Sequence, residues 1–534
     1  TLQPGQQRIV GWPVEAVEAG EVDVLMTAVP TSGSGPQDAI QLPLTIQPLA
    51  IPDVTTEVGQ FTGRFETSVT VPNDALPMSQ VELQLSRSIA GSMLEGLQYL
   101  TGYPYGCVEQ TMSKALPNAV VGRALNQLGV TNPTLQAELP GQINASIQRL
   151  YGFQHVDGGW GWWYDDNSHD YQTAWIIFGL AQVAEGGYEI EPVVIERGVD
   201  WLNQNWQRMD ARTKAFALYA IALAGQPNAE ATLALAEDHT NLRGDEFSLA
   251  ALALTLHEMG ENGLAAEVLA ELEETAVSRD GSVYWEGASE DGYYDNKVMA
   301  SNVRTTAIAL SAYSRIEPRS ELIPGMVSWL MAQRRSQGWG STNETSFAIL
   351  GLTDHLLATS YNEAAANTSY TVQVNGQTVA SGTLGRGEPA VSLTIPLEQL
   401  QTGENEIVLT QSGSGRLYFV LNGRMFLPHE EIEAAGSVTV TRRYLDGETG
   451  KPLTAIEPAQ LVQIRLTVDL PDQGSYIIIE DRLPGGLEAL NEGLATTSHI
   501  ADAYNGPTYR WQQLGYNYKE VFGDHVSFFI TEMD

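Results

Sequence analysis

The chain has 534 residues, with 28 lysines and arginines against 65 aspartates and glutamates, a formal net charge of −37. So negative a field disfavours nucleic acid and anionic membrane surfaces as partners, while 43% hydrophobic residues is ample for packed cores. The single cysteine excludes an intramolecular disulfide framework and a cysteine-based zinc site, and no apolar run reaches the ~18 residues of a membrane span. Length alone suggests about three to five domains. The chain opens on Thr1 without a signal peptide, which reads as a mature product or a piece of something longer.

Residues 1–86 read as β. Val22-Asp23-Val24-Leu25-Met26-Thr27-Ala28-Val29 and Ser68-Val69-Thr70-Val71 are β-branched runs between Gly, Pro and Asp turns, and 42–49 looks like a closing strand that enters a linker. Residues 87–360 read as helix, rich in Ala and Leu with apolar residues three and four apart. The expected helices are 88–100, 107–128, 141–154, 169–186, 191–205, 210–224, 228–240, 245–259, 262–276, 301–316, 320–334 and 343–359, with Asn343 as the N-cap of the last.

A repeat runs through this region. Gly158-Gly159-Trp160-Gly161-Trp162 precedes Thr173-Ala174-Trp175, Val283-Tyr284-Trp285 precedes Thr305-Thr306-Ala307, and Gly338-Trp339-Gly340 precedes Thr345-Ser346-Phe347. A Trp turn followed by a small-residue helix suits about six helical hairpins packed in a ring, an α/α toroid, rather than an irregular helical domain. Residues 361–534 return to β. Strands are expected at 370–377, entering an Asn375-Gly376 turn, at 391–395 and 406–410, and then at 437–441 and 462–468. Helices between β segments predict a β domain split by an insertion.

Cys107 lies in Tyr103-Pro104-Tyr105-Gly106-Cys107-Val108-Glu109-Gln110. A lone cysteine is most often a small buried hydrophobe. Here Gly106 permits an unusual backbone or a close approach just before it. Cys107 then opens a helix, where free N–H groups stabilise a thiolate. Gln110 follows one turn later on the same face. A thiolate held against a carboxamide can displace ammonia and leave an internal thioester, which needs a dry shield. Tyr103, Tyr105, Trp160, Trp162 and Trp163 are the aromatics that could supply it, or could simply pack the core. Glu109 could polarise an incoming nucleophile, though an acidic residue favouring the first helical turn is the preferred reading.

Gly106-Cys107-Val108-Glu109-Gln110 resembles the thioester motif of the α2-macroglobulin and complement family, and Tyr-Pro-Tyr-Gly-Cys-Val-Glu-Gln-Thr-Met-Ser resembles its bacterial branch. The resemblance covers nearly the whole chain. It implies a multidomain architecture: the end of a macroglobulin-like β-sandwich at 1–50, a CUB domain split into 51–86 and 361–435, an α/α-toroid thioester domain at 87–360, and a C-terminal macroglobulin-like sandwich at 436–534. This last sandwich looks short of its final strands. It further implies a C-terminal fragment whose upstream macroglobulin domains and protease-sensitive bait region lie before Thr1. In the implied mechanism, bait cleavage exposes the Cys107–Gln110 thioester, a lysine amine of the target protease attacks it, and Gln110 is joined to the target. That is single-use acyl transfer, a protease inhibitor and not an enzyme, and it needs no cofactor or metal. Members that favour hydroxyl attack carry a histidine in the region aligned with Gln207–Ala215; none is there, which leans toward amines. His155 and His169 lie near the Trp-rich turn and could approach Cys107. Bacterial relatives imply an extracytoplasmic site, periplasmic or cell-surface, with lipid anchoring upstream.

Two other readings stay open. A helical toroid could be a carbohydrate-active enzyme with a carboxylate pair drawn from Glu286, Asp291 and Asp165 and stacking platforms at Trp160 and Trp285. It could also be a non-reactive binding scaffold. The Asp165-Asp166 and Asp291–Asp295 segments read as solvated acidic loops rather than calcium loops, and no Walker, dinucleotide, His-Glu-x-x-His or Gly-x-Ser-x-Gly pattern occurs.

Overall fold

The computed structural model describes residues 14, 17, 20–30, 37–46, 50–87, 106–128, 133–279, 281–287, 299–335, 338–359, 367–385, 390–413, 415–428, 436–457, 460–471, 473–490, 515–516, 518–523 and 525–533. The chain divides into two compact units, one of Pro52–Leu427 and one that groups Thr1–Ile51 with Pro428–Asp534.

In the second of these units, β1 (Gly20–Ala28) and β2 (Asp38–Ile46) form an antiparallel hairpin. The same unit holds β13 (Thr439–Asp446) paired with β14 (Val462–Asp469), and a sheet of β15 (Gly474–Arg482), β17 (His525–Met533) and β16 (Tyr518–Val521) in that order. Strand β14 alternates half-buried and exposed positions, as a strand with one covered face must.

The larger unit begins with β3 (Ala50–Phe61), β4 (Arg64–Val71) and β5 (Gln80–Ser86). It ends with β8 (Thr368–Val374), β9 (Gln377–Leu384), β10 (Val391–Pro396), β11 (Gly403–Gly413) and β12 (Leu417–Pro428). These make two four-stranded sheets, β10-β5-β12-β3 and β4-β11-β8-β9. Val69, Val71, Leu83 and Leu85 from one segment share a core with Val372, Ile407, Leu409 and Phe419 from the other. Each sheet mixes strands from both segments, so neither segment can bury its apolar face alone. The helices are an insertion between β5 and β8. The β8–β9 turn is Asn375-Gly376, both at positive φ, the pairing a two-residue hairpin turn demands.

Eleven α-helices lie among the described residues of the insertion: α1 (Val108–Leu128), α2 (Pro133–Phe153), α3 (Asp170–Glu185), α4 (Pro192–Asn205), α5 (Ala211–Leu223), α6 (Ala229–Glu237), α7 (Glu246–Glu258), α8 (Asn262–Glu274), α9 (Asn302–Ile316), α10 (Ile323–Ala332) and α11 (Thr342–Thr359). The expected helix at 88–100 lies outside the described residues. A small hairpin of β6 (Val277–Arg279) and β7 (Ser282–Tyr284) precedes α9 and was not foreseen.

The odd-numbered helices pack in series, α1 on α3, α3 on α5, α5 on α7, α7 on α9, α9 on α11, and α11 back on α1. Their sequences explain it. α3 is buried at every position from Tyr171 to Val183, and a helix that is apolar all round belongs inside. By contrast α4 buries only Val194, Gly198, Val199, Trp201 and Leu202, one stripe at helical spacing. Between α9 and α11 the backbones touch: a Cβ on Gly351 would lie 2.4 Å from the Ala307 carbonyl oxygen. Gly351→Ala is therefore expected to cost about 1–3 kcal/mol, with the helices forced apart. Gly141→Ala, with nothing within 4 Å, is expected to be neutral or stabilising. Thermal unfolding of the two variants side by side checks this.

The Trp repeat is a repeated strut. The indole N–H groups of Trp160, Trp285 and Trp339 donate to the carbonyls of Leu150, Leu272 and Leu330, at 2.9, 2.7 and 2.6 Å, near the ends of α2, α8 and α10. Their backbone N–H groups donate to the hydroxyls of Thr173, Thr306 and Thr345, at 3.0, 3.1 and 2.9 Å, in α3, α9 and α11. Each Trp thus adds an indole donor to a carbonyl in the last turn of the outer helix, at Leu272 and Leu330 alongside the backbone N–H groups of Thr275 and Gln333, and pins the next inner helix to it. The N-cap of α11 is Ser341, not Asn343. Ser341 Oγ accepts from the Glu344 N–H, and Glu344 Oε2 accepts from the Ser341 N–H at 2.9 Å, a closed capping box. Asn343 is fully buried inside the helix.

Candidate functional site

Cys107 sits immediately before α1 and is 6% exposed. Its carbonyl accepts the first helical bond, from the Thr111 N–H at 2.9 Å, so it is the N-cap. Its Sγ accepts from the Gln110 N–H at 3.4 Å, and Gln110 Oε1 accepts from the Cys107 N–H at 3.1 Å. This is a capping box with sulfur where serine is usual. The motif that closes many helices here brings a thiol and a carboxamide together. The same N-terminal N–H groups favour the thiolate form of the cysteine.

Neighbouring elements hold this turn. The Val108 N–H donates to the Trp162 carbonyl at 3.0 Å, which ties the Trp-rich loop to the start of α1. Arg149 of α2 donates from Nη2 to the Gly106 carbonyl at 2.7 Å. A Cβ on Gly106 would lie 2.5 Å from that nitrogen, so any larger residue before Cys107 would push the guanidinium off this carbonyl. Trp162 and Trp163 are each 8% exposed. Trp160 is fully buried and serves as the α2–α3 strut rather than as a cover. Tyr103 and Tyr105 lie outside the described residues.

Glu109 does lie in the first turn of α1, as expected, and it is buried there. It is 2% exposed. Its carboxylate accepts from Ser113 Oγ, and from Thr342 Oγ1 at 2.9 Å. Burial pushes its pKa up while these hydroxyls pull it down. It is a strut from the first turn of α1 to the first turn of α11.

Asp165 and Asp166 are both exposed, as a solvated acidic loop should be, and Asp166 also holds the loop together: Oδ2 accepts from the backbone N–H groups of both Trp162 and Trp163, at 2.7 and 3.2 Å. Both ring nitrogens of His155 are spent on the same loop, on Ser168 Oγ at 2.8 Å and the Trp163 carbonyl at 2.9 Å. His169 precedes α3, and its backbone N–H donates to the Trp160 carbonyl at 2.8 Å. Desolvation raises the Asp166 pKa to about 6. A carboxyl raised in the fold contributes stability below its unfolded value near 3.8, which is lost as pH rises through about 6. Protection of the Trp-rich loop amides, taken relative to their intrinsic exchange rates, is therefore expected to fall with a midpoint near pH 6, and Asp166→Asn to remove that midpoint. Protection factors that stay flat from about pH 4 to about pH 8 in the parent protein would contradict this.

The carbohydrate-active reading loses its platforms. Trp160 and Trp285 are both fully buried, and their indoles are bound to helix ends. Glu286 is exposed on a turn after β7 and Asp291 lies outside the described residues. Among the described residues, no group of three His, Cys, Asp or Glu could hold a metal ion, and no helix is long and apolar enough to cross a membrane.

What fold and site define is a multidomain chain in which a helical domain, bearing a buried cysteine–glutamine turn, is spliced into β-sandwich structure. The sequence matches the A-macroglobulin TED domain over residues 79–234 and 225–355, and the bacterial α2-macroglobulin MG10 domain over residues 438–534. The chain belongs to the α2-macroglobulin family, on its bacterial side. It is 24% identical to α2-macroglobulin of Escherichia coli K12 over 95% of this chain and 30% of that protein. It is 26% identical to that of Thermotoga maritima over 64% of this chain and 19% of that protein. It therefore spans less than a third of these relatives. Its fold is similar to native E. coli α2-macroglobulin from domain MG7 to the C-terminus, with TM-score 0.72 and 18% identity over 96% of this chain and 80% of that one. It is also similar to Salmonella α2-macroglobulin reacted with methylamine, with TM-score 0.70 and 21% identity over 97% of this chain and 33% of that one.

Proposed function

We propose that this chain is the reactive part of a protease trap, in which Cys107 and Gln110 form an internal thioester that captures an attacking protease. The observation that carries this is the reciprocal Cys107–Gln110 pairing in a buried turn. The Sγ attacks the Gln110 carboxamide carbon, ammonia leaves, and the acyl group is stored. A lysine amine of the target later attacks the same carbon, an amide forms, and the Cys107 thiol is released. The bond is its own acyl donor, so no cofactor enters. Each molecule reacts once, as an endopeptidase inhibitor rather than an enzyme.

The likeness to the methylamine-reacted Salmonella protein supports amine targets. The series of inner-helix pairings supports the six-hairpin α/α toroid. The interleaved strands support reading 51–86 and 361–435 as the two parts of a CUB domain around it. Large apolar side chains exposed on the β1–β2 hairpin, among them Leu25, Ile40 and Leu44, support a neighbouring layer from upstream macroglobulin-like domains, since a lone hairpin is marginal in water. Trigger and bait would belong to those domains. Tyr103, Tyr105 and Trp162 are the proposed covers of the thioester, and the proposed setting is extracytoplasmic, periplasmic or cell-surface.

The test uses the full-length protein. Addition of a trypsin-like protease is expected to give a denaturant-resistant conjugate whose cross-linked peptide carries Gln110. A conjugate mapped elsewhere, or inhibition with no covalent product, would refute the proposal.

A further inference from the structure

From Cys107 to Val121 the chain is buried except at two half-buried positions, Gln110 and Lys114. They are four apart and share one face of α1. Helical side chains lean toward the N-terminus, so Lys114 covers the turn that holds Gln110. Lys114 therefore stands one helical turn from the residue whose side chain would carry the acyl group. The guanidinium of Arg149, anchored on the Gly106 carbonyl, is close enough for its charge to act on Lys114. In a chain of net charge −37, two cations thus stand together near the start of this helix.

This inference rests on the thioester reading above. We propose that Lys114 is the proton carrier of the acyl transfer, a role for which the regional histidine of some relatives has no counterpart here. As the attacking amine nitrogen bonds to the Gln110 acyl carbon, the neutral Lys114 amine accepts the proton that nitrogen must lose. As the carbon–sulfur bond breaks, Lys114 passes that proton to the departing Cys107 sulfur. One amide and one thiol form, one thioester is consumed, and Lys114 ends as it began. The surroundings suit a lysine that must be neutral part of the time. Burial first, and then the charge of Arg149, hold its proton affinity below the ordinary lysine range. Arg149 on α2 is the charged group whose field acts on it among the described residues. Arg149 cannot lose its own proton and serves as a fixed positive charge beside the developing thiolate.

Lys114→Met keeps the apolar stem and removes the base, and Lys114→Arg keeps the charge but cannot deprotonate. Intact mass is taken first: wild type and both variants should be short by one ammonia, which also shows that each variant has folded its site. Thiol release by methylamine is then followed from about pH 6 to about pH 10, up to the ordinary lysine value. Both variants are expected to be slower by about 10²-fold or more. They should also lose an inflection that the wild type shows below the ordinary lysine range, beyond methylamine's own ionisation. Variant rates within about twofold of wild type across this range would overturn the role. So would a free thiol on a wild-type chain still short by one ammonia, because Lys114 would then have taken the acyl group itself. A wild type of full mass would instead overturn the thioester reading and this inference with it.

Discussion

Replacing Cys107 with alanine is expected to abolish acyl transfer outright. The variant should have full mass, take up no methylamine and form no conjugate with a protease. Gln110→Glu should behave alike by a different route, because a carboxylate does not surrender its oxygen to a thiolate as a carboxamide surrenders ammonia. The pair separates chemistry from folding. Gln110→Glu keeps the capping geometry, since Glu at this position caps as well as Gln. Cys107→Ala loses a cap interaction, which costs helices about 0.5–2 kcal/mol. Equal loss of labelling with unequal loss of stability is the expected signature. Residual methylamine uptake in Cys107→Ala would mean that another group carries the acyl chemistry.

The largest expected loss of stability is at a tryptophan strut away from the site. Trp285→Ala empties a fully buried position and leaves the Leu272 carbonyl without its indole donor. Aromatic truncation of this kind costs about 3–5 kcal/mol. The carbonyl keeps the N–H and hydroxyl of Thr275 as donors, so the lost packing carries the cost. The unfolding midpoint of the helical unit should fall by a large margin, while any surviving folded protein keeps its Cys107 chemistry. Trp285→Phe, which loses the donor but keeps most of the ring, should fall between the two. Denaturant unfolding followed by far-ultraviolet circular dichroism measures this. An alanine variant within about 1 kcal/mol of the parent would contradict the strut.

The helices were legible because most of the insertion repeats one pattern, and inner helices that are apolar all round still show helical composition. The misses have local causes. The expected helix at 141–154 starts eight residues late: α2 runs from Pro133 to Phe153, with Pro140 and Gly141 both exposed inside it. The β6–β7 hairpin has strands of three residues, too short for any periodicity to register. Asn343 was preferred as N-cap over Ser341, although Ser341 and Glu344 already have capping-box spacing.

The site divides the same way. Cys107 and Gln110 could be paired from sequence because the relation is local, three residues along one helix. Arg149 lies far along the chain from Gly106, and Trp162 far from Val108, so those contacts exist only once α2 and the Trp-rich loop have packed against α1. Asp166 belongs to an exposed acidic pair, as the sequence suggests. Its work on the Trp162 and Trp163 amides depends on a loop fold that composition does not encode. Glu109 was assigned by position in the first turn, and its true partner, Thr342, comes from the far end of the insertion.

The central claim is that Cys107 and Gln110 are joined by a thioester. The most direct measurement is the intact mass of the native protein before and after methylamine, with thiol titration alongside. The account predicts a native mass short by one ammonia and no titratable thiol. After methylamine it predicts one equivalent gained, a free Cys107 and a methylamide on Gln110 by peptide mapping. A native protein of full mass with a titratable Cys107, unchanged by methylamine, would contradict it.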